Sequence, residues 1–159
     1  MKTLKGITRV EFDMDGTIYD LYGQENWLKA LETKDSSIFL TGKVMVHVGA
    51  LNEMIDRLEA IGIECCVNTW LPMYSTNSFD KECAENKKVW LENHFPKLAQ
   101  KLRTVSYGTP KHMVRPNADK AIIFDDNVDV REAWFHNGGI AFDEKNIIEV
   151  MVAIESENK

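Results

Sequence analysis

Leu51, Met54, Ile55 and Leu58 recur at the i, i+3, i+4, i+7 spacing of one helix face. The pattern predicts an amphipathic helix over Gly49 to Ala60, closed by Gly62. Short apolar runs of strand length flank it: Gly6 to Phe12, Ile63 to Asn68, Thr104 to Tyr107, Ala121 to Phe124 and Ile140 to Phe142. Ala121-Ile122-Ile123-Phe124, apolar throughout, has the character of a parallel strand buried on both faces. Between the strands further helices are expected. Gln24 to Leu31 places Trp27, Leu28 and Leu31 on one side. A longer helix, capped by Ser78 or Asp80, runs to about His94 and stops before Pro96, with Trp90, Leu91 and Phe95 toward the core. Val130 to His136 follows, and a last helix after an Asp143 cap carries Ile147, Ile148, Met151 and Ile154 on one face. Lys34 to Ser37, Leu71 to Ser78, Gly108-Thr109-Pro110 and Asn137-Gly138-Gly139 read as loops and turns. Glu155 to Lys159 reads as a frayed, mobile tail.

Strands alternating with helices imply an α/β fold, a parallel sheet with helices on both faces. At 159 residues one domain spanning 1–159 is expected. Residues 21–42 have too few apolar positions for a core of their own and are expected to form a small, mobile lid or flap.

Charge narrows the partners. The formal net charge is -6 and the sequence pI about 5.2. That argues against a nucleic-acid backbone as partner, for which a basic face is expected. Met1 to Lys5 leads straight into a strand, and no apolar stretch is long enough for a signal peptide or membrane span, so a cytoplasmic protein without membrane contact is expected. Cys65, Cys66 and Cys83 are odd in number and two are adjacent, which makes a poor disulfide framework; they read as small buried hydrophobes. His47, His94, His112 and His136 show no metal-ligand spacing and read as surface or partly buried residues.

The candidate chemistry begins at Phe12-Asp13-Met14-Asp15-Gly16-Thr17. Side chains alternate along a strand, so Asp13 and Asp15 project the same way at its carboxyl end, and Gly16 lets the chain turn away. Open α/β sheets bind ligands at that end. Two acids so close require a cation, a shared proton or a phosphoryl centre. Three more positions follow at strand ends. Thr69, with Asn68 as the alternative, offers a neutral donor. Lys111, in Gly108-Thr109-Pro110-Lys111, offers an ammonium group; its competitors are Lys87 and Lys88, read as a helix surface, and Lys120, at the wrong end of its strand. Asp125-Asp126, with Asp129 close behind, directly follows the most apolar strand. Carboxylates there need a cation or donors, and oxygen-only ligands point to Mg²⁺; Asp126 or Asp129 could equally cap the next helix.

The order Asp-x-Asp, Thr, Lys, Asp-Asp resembles the four motifs of the haloacid dehalogenase superfamily, the aspartate-nucleophile phosphatases with a three-layer Rossmann-like fold. Trp90-Leu91, Phe95-Pro96, Tyr107 to Lys111, Phe124 to Asn127 and Trp134 to Gly139 look like the 5′(3′)-deoxyribonucleotidase branch and its small phage and bacterial relatives. The segment between Asp15 and Gly49 is shorter than that branch's helical cap. The resemblance implies a Mg²⁺-dependent phosphomonoesterase acting on a small phosphorylated substrate such as a nucleoside monophosphate. Asp13 would be the nucleophile and Asp15 the acid and base. Thr69 and Lys111 would hold the phosphoryl group. Mg²⁺ would sit on Asp13, the Asp15 carbonyl and Asp125, with Asp126 near or in its shell. Tyr19, Tyr22, Trp27, Phe39, Trp70 and Tyr74 lie on segments expected to rim the site, Tyr22 and Trp70 foremost. Two other readings are a phosphatase for nucleic-acid ends and a phosphate-binding module without turnover.

Overall fold

The structure is a computed structural model that describes residues 2–73 and 76–159. Five parallel strands, β1 (Arg9–Phe12), β2 (Glu64–Trp70), β3 (Leu102–Val105), β4 (Ala121–Phe124) and β5 (Ile140–Phe142), form one sheet in the order β3-β2-β1-β4-β5. Around it lie α1 (Trp27–Glu32), α2 (Val48–Ala60), α3 (Asn77–His94), α4 (Pro96–Ala99), α5 (Val128–His136) and α6 (Ile147–Asn158). This is the expected α/β, Rossmann-like arrangement. No helix among the described residues is long and apolar enough to cross a membrane.

The strand order positions the site. From β1 the chain builds outward through β2 and β3, then returns to place β4 and β5 on the other side of β1. The reversal lies between β1 and β4, and sheets of this kind bind ligands outside the carboxyl ends at such a point. The two strands end level: Phe12 pairs in register with Phe124, and their rings stack at 5.4 Å. Asp13 and Asp125 are therefore the first residues beyond the sheet on neighbouring strands. Their amides continue the ladder, Asp13 N–H to Phe124 O at 2.8 Å and Asp125 N–H to Phe142 O at 3.0 Å.

The two faces of the sheet are covered unequally. Val10, Phe12, Cys65, Val67, Ile122 and Phe124 belong to the main core with Leu51, Ile55 and Leu58 of α2, Trp90 and Leu91 of α3, and Met151 and Ile154 of α6. Ala121 and Ile123 meet Val130 and Trp134 of α5 in a smaller cluster. All three cysteines are buried and free, and burial pushes their thiols well above the usual range.

Several element ends differ from expectation because side-chain chemistry beyond periodicity sets them. The strand expected at Thr104 to Tyr107 is Leu102–Val105, in register with Val67 to Trp70 of β2. Thr76 accepts from the Phe79 amide to start α3, in place of Ser78 or Asp80. Pro96 begins α4, a single turn absent from the expected elements. Asn127, and neither Asp126 nor Asp129, caps α5 by accepting from the amides of Asp129 and Val130. Asp143 caps a short 3-10 turn, Glu144–Asn146, that leads into α6.

Two segments expected to be mobile are tied down. In the insertion at 21–42, Ala30, Ile38 and Phe39 are buried, and Asp35 caps a 3-10 turn over Ser36–Phe39. The Tyr19 hydroxyl donates to Ile38 O and accepts from the Gly42 amide, while Trp90 Nε1 donates to Gly42 O at 3.1 Å. The C-terminal residues continue α6 to Asn158. Glu155, nearly buried, pairs with Arg57 at 2.7 Å. Glu157 accepts from the Leu4 amide at 3.0 Å, and Asn158 accepts from the Gly6 amide and donates to Leu4 O. Deleting residues 155–159 is therefore expected to lower unfolding free energy by about 1–3 kcal/mol, the scale of a few hydrogen bonds lost together. Urea titration of the truncated protein checks this; an unchanged midpoint would mean the contacts contribute nothing.

Candidate active site

Asp13 and Asp125 are both buried, and Lys111 joins them. Its ammonium lies 2.6 Å from Asp13 Oδ1 and 2.6 Å from Asp125 Oδ2. The other oxygens are also engaged: Asp13 Oδ2 accepts from the Thr17 hydroxyl at 3.0 Å, and Asp125 Oδ1 from the Asn127 amide at 2.9 Å. Lys111 comes from the short 3-10 turn Lys111–Met113 after Gly108-Thr109-Pro110. Trp70 anchors that approach by donating to Thr109 O at 2.8 Å, and its ring lies 5.4 Å from the ammonium. The turn after β1 is equally constrained. Gly16 has φ +82, and a Cβ there would collide with the Asp126 carboxylate.

Asp126 follows on the rim, where the Thr17 hydroxyl accepts from its amide at 3.2 Å. Arg131 donates to the carbonyls of Asp125 and Asp126 at 2.8 Å each, which fixes the turn that presents both carboxylates. Asp13, Asp125 and Asp126 each offer an oxygen within 4.8 Å of the others. Three carboxylates with oxygen donors alone could hold a hard divalent cation of the Mg²⁺ kind. The Asp15 carboxylate stands outside this trio, and Asp129 is exposed on the first turn of α5.

Asp15 is held by Lys87, which the sequence offered only as a competitor of Lys111. Lys87 was expected on a helix surface, yet it is fully buried. Its ammonium donates to Asp15 Oδ2 at 2.7 Å, Thr69 Oγ1 at 2.9 Å and Trp70 O at 3.1 Å. The signal was present: Cys83, Lys87, Trp90 and Leu91 share the buried stripe of α3, and a lysine on an apolar stripe needs a buried acceptor. Thr69 is fully buried and accepts from Lys87; it is not among the residues lining the cavity. Asn68, the alternative, donates to Glu11 Oε1 at 3.0 Å and to Lys111 O at 3.2 Å, and so supports Lys111 from beneath. Thr17, whose hydroxyl links Asp13 to Asp126, was visible in the first motif but carried no assigned role.

Above these groups lies a cavity of about 620 Å³. Asp13, Asp15, Lys111 and Asp126 line its polar end, and Tyr22, Trp27, Leu28, Phe39, Trp70, Met73 and Tyr107 line its walls. The aromatic groups come in pairs: Tyr22 and Trp27 meet edge-on at 5.0 Å, and Trp70 and Tyr107 lie 5.0 Å apart. Of the six aromatics expected to rim the site, Tyr19 is instead fully buried beneath the insertion, and Tyr74 lies outside the described residues.

Crowding of acids shapes their protonation. Burial pushes the Asp126 carboxyl up to about 7, and the charges of Asp13 and Asp125 push the same way. Burial and then Asp13 raise Asp125 to about 6, against the pull of Lys111. Burial also raises Asp15, opposed by Lys87. Burial alone would lower Lys111, but the two carboxylates outweigh it and hold the ammonium above its usual range. Raised carboxyls keep protons in the folded protein that the unfolded chain has already released. Without divalent ions, stability contributed by Asp125 and Asp126 is thus present below about pH 4 and is lost as pH rises through 6 to 7. In chelator the urea midpoint is expected to fall over that window. Asp126→Asn should flatten the fall, and Mg²⁺ should offset it. A variant with the wild-type slope would contradict the assignment.

No protein-family model matches the chain, and no curated protein matches it. Among solved structures it is similar to an uncharacterized protein from Corynebacterium glutamicum ATCC 13032 Kitasato, whose crystal structure is at 1.44 Å resolution. The TM-score is 0.54 and the identity 9%, over 93% of this chain and 95% of that one. At that identity the likeness is one of fold alone.

Proposed function

We propose that the protein is a Mg²⁺-dependent phosphomonoesterase of the haloacid dehalogenase type, working through an aspartyl-phosphate. The observation that carries the reading is the buried Asp13–Lys111–Asp125 cluster at the switch point, with Asp15 two residues beyond the nucleophile and lining the same cavity.

Asp13 attacks phosphorus, and the bond to the leaving oxygen breaks. Lys111 and the Thr17 hydroxyl hold the Asp13 carboxylate, and Lys111 is also placed to meet phosphoryl charge at the cavity's polar end. Asp15 gives a proton to the leaving oxygen, then takes one from the water that cleaves the acyl phosphate and frees Asp13. Mg²⁺ held by Asp13, Asp125 and Asp126, with the Asp15 carbonyl, would supply the positive charge that lets an anionic nucleophile approach an anionic ester. Four carboxylates against the two ammonium groups of Lys87 and Lys111 leave two formal negative charges, which one divalent cation balances.

The aromatic walls favour a small phosphate with a planar or apolar leaving part, such as a nucleoside monophosphate, since stacking on Trp and Tyr is worth about 1–3 kcal/mol per base. Tyr22, Leu28, Met73 and Tyr107 are the exposed large hydrophobic groups of the lining, beside the charged Glu32 and Lys34, whereas a nucleic-acid end would call for a continuous basic track.

An activity screen over aryl phosphate, nucleoside monophosphates and 3′-phosphorylated oligonucleotides tests the reading. Turnover of the small esters is expected with Mg²⁺ and not with chelator. Asp13→Asn should lower kcat by about a thousandfold or more, with its thermal transition retained. Metal-independent turnover, or an active Asp13→Asn protein, would overturn the reading.

A further inference from the structure

Two lysines reach the acidic centre, and they are not equivalent. Lys111 lines the cavity. Lys87 is completely buried, is not among the lining residues, and has three oxygen acceptors at 2.7, 2.9 and 3.1 Å. An ammonium group has three donors, so all of them are committed within the protein and none remains for a phosphoryl oxygen. The Phe39 ring, 4.8 Å from the nitrogen, covers it from the insertion side. Its target is equally one-sided: Asp15 Oδ2 takes the Lys87 bond, whereas the buried Oδ1 has no hydrogen-bond partner.

Resting on the phosphatase reading above, we infer that Lys87 is a positioning residue for proton transfer: by engaging Asp15 Oδ2 it fixes the carboxyl at the cavity lining, where it delivers the proton to the leaving oxygen. In the first step the Asp13–phosphorus bond forms and the ester bond breaks. Its electron pair stays on the leaving oxygen, which takes the proton from the Asp15 carboxyl. In the second, the Asp15 carboxylate takes a proton from the attacking water and is reset. Thr69 belongs to the same device, because its hydroxyl and Trp70 O fix the ammonium that fixes Asp15. The device also ties the insertion to the chemistry, since Phe39 packs over Lys87 while lining the substrate cavity.

Leaving-group dependence separates this role from a structural one. A nitrophenolate departs with little protonation, whereas an alkoxide needs the proton, and a positioned general acid is worth about 10²–10⁴ in rate. Lys87→Met is expected to lower kcat/KM for an alkyl phosphate by about a hundredfold and for p-nitrophenyl phosphate by less than about tenfold. Lys87→Gln, which keeps a donor, should recover part of the alkyl rate. Thr69→Val, nearly isosteric, should show the same bias at smaller size and serves if Lys87→Met does not fold. Adding Lys87→Met to Asp15→Asn should change the alkyl rate little, because the group it positions is already lost. Equal losses on both esters, or additive losses in the double variant, would overturn the role of Lys87 while leaving the phosphatase reading intact. A wild-type protein that hydrolyses neither ester would overturn that reading and this inference with it.

Discussion

Two buried carboxylates at the ends of adjacent parallel strands repel each other unless a cation stands between them, and here Lys111 lies 2.6 Å from each. The level register of β1 and β4 makes the problem unavoidable, because Asp13 and Asp125 leave the sheet side by side. Removing one partner from such a cluster costs about 3–5 kcal/mol, since the remaining charge stays buried. The chain between β3 and β4 must therefore bring Lys111 to one place. A line of polar groups beneath the site fixes it there: Arg9 donates to Glu11 at 2.8 Å and to Pro116 O at 3.0 Å, and Asn68 joins Glu11 to Lys111 O. Charged and amide side chains inside the central strands are unfavourable alone; paired with one another, Arg9, Glu11 and Asn68 become the support of Lys111, although Asn68 Oδ1 has no hydrogen-bond partner.

The second ammonium group divides the labour. Lys111 bridges Asp13 and Asp125, and Lys87 holds Asp15 from within α3. The negative charge that remains suits a divalent cation, and the aromatic walls suit a planar group. The proposed phosphatase chemistry would thereby reconcile a local excess of acids with an anionic substrate, although the whole protein carries a net charge of -6.

Where burial alone dictated structure, the sequence could be read directly. The Leu51, Met54, Ile55 and Leu58 stripe became the buried face of α2, and Ala121 to Phe124 became β4, fully buried. The placement of Asp13 and Asp125 followed from strand ends in a parallel sheet, whereas Lys111 lies on a 3-10 turn beyond β3. What stayed hidden depended on partners distant in sequence. Lys87 resembles a solvated helix residue until Asp15 and Thr69 are placed opposite it, although its position between Cys83 and Trp90 already marked it as buried. Asn158 and Glu157 look like a frayed tail until the amides of Leu4 and Gly6 arrive beside them. Asn127 could not be preferred over Asp126 and Asp129 as the α5 cap without knowing that the Asp126 carboxylate gathers with those of Asp13 and Asp125.

The proposed phosphatase chemistry requires Asp13 to take the phosphoryl group. Rapid acid quench during turnover of a phosphate ester with Mg²⁺, followed by borohydride reduction and peptide mass spectrometry, reads that directly. An acyl phosphate reduced at Asp13, and absent in Asp13→Asn, is the predicted result. Phosphoryl on another side chain, or steady turnover with no covalent species on Asp13, would contradict it.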